Sequence, residues 1–145
     1  MAENTQNYSN HVRWHAPFHF VGTPILLILL LWSGYGLYKT PGLHSIMGLL
    51  LVLALIITFF LTRINALKAQ DRVIRLEEQL RFQRLLPADL AAQAAGLPVN
   101  FIVALRFASD GELAELVKQA VDKKFAKPDD IKKAIKNWRP DYHRV

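Results

Sequence analysis

Two apolar runs, separated by four residues, constrain this chain more than anything else in it. The first is FHFVGTPILLILLLWSGYGLY, Phe18 to Tyr38; the second is LHSIMGLLLVLALIITFFLT, Leu43 to Thr62. Each has about the 20 residues that span a hydrocarbon layer of roughly 30 Å. Neither ILLILLLW nor LLLVLALIITFFL offers a polar face, so neither suits a helix half-buried on a soluble core. The connection Lys39-Thr40-Pro41-Gly42 is short and made of turn residues. The expectation is a transmembrane helical hairpin with both ends on one side.

Charge is distributed to match. From Phe18 to Thr62 there is one Lys, no Arg and no acidic residue, whereas residues 61–145 hold 16 of the 18 Lys and Arg and 11 of the 12 Asp and Glu. Arg13 precedes the first run and Lys39 lies in the turn, while Arg63, Lys68, Arg72 and Arg75 follow the second run closely. Positive residues stay on the cytoplasmic side, so both termini are expected there. With Trp14, these residues are the candidate membrane-interface set. The basic segment is also suited to anionic lipid headgroups, which explains much of the net charge of +6 without nucleic acid. No charged residue lies mid-span, which argues against a transporter. The first run follows a polar leader, lacks an A-x-A-like site after Tyr38 and is soon followed by a second run. It therefore reads as an anchor and not as a cleaved signal. Pro24 suits a first helical turn with Thr23 as cap. Ser33-Gly34, Tyr35-Gly36 and the Ala54/Thr58 face are small-residue positions where helices can approach closely.

The soluble part begins with RINALKAQDRVIRLEEQLRFQRLLP, uninterrupted by Gly or Pro until Pro87. It reads as one long helix continuing the second span, with Asp71–Arg75 and Glu77–Arg81 as favourably ordered i,i+4 pairs. Val73, Leu76 and Leu80 form one apolar stripe, and Ile64, Leu67 and Ile74 another. A heptad is not sustained over three repeats, so periodicity leaves an intermolecular coiled coil over 63–86 open. Short helices follow. Pro87 to Ala95 is closed by Gly96 and Pro98, and Asn100 is placed to cap FIVALRFA. Ser109 and Glu112 form a capping box for a helix carrying Leu113, Leu116, Val117, Ala120, Val121 and Phe125. Pro128, Asp129 and Asp130 open the last helix, whose inner face is Ile131, Ile135 and Trp138. Arg139-Pro140 ends it. Nothing reads as a strand.

Three constellations invite a functional reading. His11, His15 and His19 recur every fourth residue, the spacing of metal ligands on one helix face. Pro17 breaks that register, and with Tyr8, Trp14 and Phe18 the histidines suit an interfacial collar better. A narrower expectation places His11, Arg13 and His15 against the helix after Arg63. A haem held by His19 and His44 would need two ligands at opposite ends of the hairpin. Lys132, Lys133, Lys136, Arg139 and Arg144 with Trp138 and Tyr142 resemble a basic, aromatic nucleic-acid patch. A solvated helix face with Trp138 in the core accounts for them more simply, so Lys132, Lys136, Trp138, Arg139 and Tyr142 stand as interaction candidates. With no cysteine, thiolate sites and thiol catalysis are excluded. No phosphate loop, H-E-x-x-H or G-x-S-x-G occurs.

QNYSNH, the two runs, ALKAQDRVIRLEEQLR, LLPADL, ALRFASDGEL and IKKAIKNWRPDYHRV, taken in order, resemble a family of small two-span bacterial membrane proteins of uncharacterised function. The resemblance covers nearly the whole chain. It implies a bacterial source and an inner-membrane home, and it carries over no activity.

The sequence thus predicts an all-α membrane protein with a two-helix transmembrane hairpin, a long amphipathic helix and a small helical cytoplasmic domain. Its parts are an interfacial segment (1–17), the hairpin (18–62), a juxtamembrane helix (63–86) and the domain (87–145). The expected role is a non-enzymatic scaffold or accessory subunit, without cofactor, in a homo-oligomer or larger membrane complex. Its alternatives are a haem- or metal-binding redox protein and a nucleic-acid-binding regulator.

Overall fold

The computed structural model describes residues 6–11 and 14–142. Among these residues the regular structure is entirely helical. A π-helical turn, Pro17–Gly22, leads into α1 (Thr23–Lys39). There follow α2 (Leu43–Leu85), α3 (Ala88–Ala95), α4 (Val99–Leu105), α5 (Asp110–Val121) and α6 (Pro128–Ala134). Contacts divide the chain into two units. One is Arg13–Leu67; the other joins Lys68–Val145 with the described part of Met1–Val12. The division differs from that read off composition, because the N-terminal residues group with the C-terminal helices.

In the apolar unit, Pro17–Lys39 and Leu43–Leu85 are long and apolar enough to cross a membrane. No residue of α1 is buried. Thr40–Gly42 connects the helices, with the Ser45 hydroxyl donating to the Thr40 carbonyl at 2.6 Å. Pro24 lies in the first turn of α1, as expected, but α1 continues a helix that has already begun. The π turn sits directly ahead of Pro24. There the Thr23 N–H and hydroxyl both reach back to the Phe18 carbonyl, a shift that accommodates the donor proline lacks. Phe18 stacks on Phe59 with centroids 4.4 Å apart. Gly22 makes room for that ring: a Cβ there would lie 2.5 Å from the Phe59 Cζ. A Cβ at Gly34 or Gly36 would meet nothing within 4 Å among the described residues, so neither glycine marks a close helix approach there. The hydroxyls of Ser33, Thr58 and Thr62 donate to carbonyls of their own helices, which satisfies these three donors without a partner outside the helix.

α2 continues the second apolar run without a break to Leu85. In the second unit Phe82 of α2 and Leu86, just past its end, join a core with Ile102, Leu105, Phe107, Leu113, Val117 and Ile131. Trp138 and Phe125 pack partly against this core. Burial of seven large side chains at under 2% exposure, each worth about 1.5–3 kcal/mol, gives these short helices their stability. None is long enough to persist alone.

Local signals set most boundaries, with four corrections. Gly96 stops α3, yet with φ −84°, so it is not a left-handed cap. Asn100 lies inside α4, which Pro98 precedes, and its side chain accepts from the next N–H, that of Phe101. α5 ends at Val121, before Phe125. Lys123 takes the left-handed conformation, φ 58°, that closes it, and the Lys124 N–H returns to the Gln119 carbonyl at 3.0 Å. α6 ends at Ala134; Ile135 is extended, and the chain bends at Lys136 and Asn137. Trp138 is thus not on the helix; it forms an isolated antiparallel bridge with Ala108.

Candidate functional site

The least expected feature of the second unit is a set of charges inside it. Ile74, Glu78, Arg81 and Phe82 lie on one side of α2, and all four are buried. Two apolar groups thus bracket two ionic ones. Arg81 is fully committed. Its Nη1 donates to Glu78 at 3.0 Å, its Nε to Asp110 at 2.9 Å and its Nη2 to the Ala108 carbonyl at 2.7 Å. Glu78 also receives Arg139 Nη1 at 3.3 Å. Arg81 therefore fastens α2 to the α4–α5 junction, and Glu78 fastens it to the segment after α6.

The electrostatics follow from burial. Glu78 is raised above the ordinary carboxylate range because burial disfavours its charge more than Arg81 and Arg139 favour it. Asp110 is exposed at its outer edge and held below that range, chiefly by its hydrogen bond from Arg81. Nearby, Arg106 pairs with Asp141 at 3.3 Å and lies over the Phe107 ring, 4.6 Å from its centroid. Three arginines thus meet three carboxylates. Glu78, Arg106, Arg139 and Asp141 of this set border an open cleft of about 580 Å³, lined also by Gln70, Val73, Ile74, Glu77 and Tyr142. Glu77 and Arg81 do not form the expected pair; Arg81 pairs with Glu78, because Glu78 shares its inward-facing side of the helix.

A second junction closes the same unit. Glu112 makes the anticipated capping box with Ser109, and its carboxylate also accepts the N–H groups of Lys136 and Asn137, each at 3.0 Å. The Asn137 carbonyl accepts from the Ser109 N–H at 3.0 Å, and the Phe107 carbonyl from the Arg139 N–H at 2.7 Å. These bonds hold Asn137–Arg139 beside Phe107–Ser109.

The N-terminal residues pack here too. Gln6 is buried, and its side-chain oxygen accepts the Asp141 N–H at 2.8 Å. The His11 ring lies 5.8 Å from Trp138 and 6.1 Å from Phe107, so it packs on those rings, where the sequence suggested the helix after Arg63. Tyr8 stacks on His11 and carries the Lys133 ammonium 5.6 Å from its ring centroid. His11 thus belongs to one unit and His15 and His19 to the other, where the His19 ring contacts the His15 carbonyl at 3.0 Å. Among the described residues no group of three or more His, Asp or Glu gathers as a metal set.

The remaining candidates scatter. Trp14 is exposed with an edge contact to His19, Lys39 lies over Tyr35 and Arg63 lies over Phe18. Lys68, Arg72 and Arg75 are exposed on α2, and Arg75 reaches the Ala95 carbonyl at 3.4 Å. Lys132 pairs with Asp129. Lys136 and Tyr142 are exposed, Trp138 is half-buried, and Arg139 is turned to Glu78. Arg13 and Arg144 lie outside the described residues.

The molecule is an all-helical protein that pairs two apolar helices of membrane-crossing length with a small, charge-clamped helical domain. It matches the family of unknown function DUF6526 over residues 1–145, and it belongs to that family. No curated protein and no solved structure matches the chain.

Proposed function

We propose that this protein is a membrane-anchored scaffold or accessory subunit of a bacterial inner membrane. In this reading the two apolar helices form a transmembrane hairpin, both termini are cytoplasmic, and the domain is presented to partners without catalysis of its own. The observation that carries the reading is the burial of Gln6 in the same unit as Asp141. Residues before the first apolar helix and residues after the second are parts of one folded body. An out-and-back path through a bilayer satisfies that arrangement, and a single crossing does not. The basic residues after Thr62 favour the cytoplasmic side. The buried charges are spent on holding α2 to its neighbours, which suits a domain built for rigidity.

Fractionation and protease accessibility test this. The protein should stay with membranes through an alkaline carbonate wash. Epitopes at either end should be protected in intact spheroplasts and digested once the cells are opened. Release by carbonate removes the anchor, and digestion of one end only removes the hairpin. Gentle extraction should then yield a particle heavier than one chain; a monomer at all concentrations removes the scaffold.

A further inference from the structure

The second unit uses only one side of α2. At 100° per residue, the buried Ile74, Glu78, Arg81 and Phe82 lie on one side of the helix, and Val73, Leu76 and Leu80 lie on the other within roughly 60°. These three are 54%, 62% and 67% exposed. Among the described residues the hydrophobic core takes in none of these three large aliphatic side chains, which stand in line on a helix whose other side is already occupied; Val73 also borders the open cleft.

We infer that Val73, Leu76 and Leu80 form the seam of a parallel homodimer, in which α2 packs against α2 of a second copy. The inference rests on the anchored reading, because copies inserted the same way in one membrane run α2 in the same direction. Charge complementarity selects the occupant. With Val73 and Leu80 at a positions and Leu76 at d, Arg72 falls at g and Glu77 at the following e. In a parallel, in-register pair, g faces the e of the next heptad in the other helix, so Arg72 meets the partner's Glu77 twice by symmetry. Gln79 at the next g meets the partner's Arg84, and no like charges are opposed. Ala69 continues the seam at the preceding d position. The seam is short. A stable soluble interface covers about 800 Å² on each partner, more than three side chains supply. Confinement to one membrane raises the effective concentration and makes so small a contact sufficient. Periodicity alone left this open; the burial of the opposite side and the exposure of this one decide it.

The cysteine-free chain allows a direct test in the full-length protein, in native membranes. Single substitutions Val73→Cys, Leu76→Cys and Leu80→Cys should each give a disulfide-linked dimer on mild oxidation, several-fold more than Arg75→Cys and Leu85→Cys off the seam. Arg72→Glu or Glu77→Arg should lower the yield at Leu76→Cys, and the two together should restore it. Equal yields on and off the seam, adducts of a mass other than two chains, or no restoration by the charge swap would overturn the dimer. Carbonate extraction of the same samples reports the anchor separately: a chain that leaves the membrane yet still cross-links on the seam refutes the anchor and keeps the interface.

Discussion

Glu112 and Asn137 hold two distant segments in a reciprocal grip. The Glu112 carboxylate accepts the Asn137 N–H at 3.0 Å, and the Asn137 carbonyl accepts the N–H of Ser109, the residue Glu112 caps. A helix cap thereby becomes a tertiary joint. Glu112→Ala should destabilise the domain by about 2 kcal/mol, the range for hydrogen bonds to a charged acceptor. Glu112→Gln, which keeps one oxygen, should cost less. Urea unfolding followed by helical circular dichroism measures both. Amide exchange at Lys136 and Asn137 should accelerate before the rest of the domain does.

Arg81→Met should be the most damaging single change on α2. It leaves Glu78 and the Ala108 carbonyl buried without their main donor, at a cost on the order of 3 kcal/mol. Glu78 is already raised by burial, and losing Arg81 raises it further. A raised acid is protonated in the folded state before the unfolded one, so its cost is present above the folded value and fades as pH falls through it. Arg81→Met should therefore recover stability on mild acidification, and Arg81→Met with Glu78→Gln should be more stable at neutral pH than Arg81→Met alone. Unfolding curves between pH 5 and pH 8 read both effects.

Asp110 should behave in the opposite sense. Its folded value is lowered, chiefly through the Arg81 hydrogen bond, so its contribution is full above the ordinary aspartate range and disappears as pH falls through the folded value. Asp110→Asn should unfold more easily than the parent at neutral pH, and the difference should close in strong acid. A gap independent of pH would assign the effect to the α5 first turn instead of the Arg81 pair.

Lys123→Gly should stabilise. Lys123 occupies the left-handed position after α5, φ 58°, where a Cβ costs roughly 1–2 kcal/mol. Glycine removes that strain and adds unfolded-state entropy that offsets part of the gain. A net gain of about 0.5–1 kcal/mol is expected, raising the melting temperature by a few degrees.

Local chemistry made much of this fold legible. Pro87, the Gly96-Leu97-Pro98 stop, the Ser109–Glu112 box and Pro128 punctuate the helices close to where they begin and end. The stretch after α6 was not legible. Ile131, Ile135 and Trp138 have helical spacing, but the Glu112 carboxylate captures the Lys136 and Asn137 amides from 24 and 25 residues away. No local pattern announces such a partner. The charged cluster left one trace: Glu78 and Arg81 share a helix side with Ile74 and Phe82, so ionic residues stand where the apolar stripe should run. Choosing Glu77 for Arg81 followed i,i+4 spacing and ignored which side was buried. Gln6, in a polar leader, carried no signal at all.

The bond from Gln6 to Asp141 joins residues 135 positions apart, and so bears on the order of assembly. A ribosome releases Gln6 well before Asp141. The N-terminal segment must wait, unsatisfied, while both apolar helices and the rest of the domain are made. Its docking is then a closing event, and every ligand, tag or truncation that occupies those first residues meets a domain whose final latch has not yet shut.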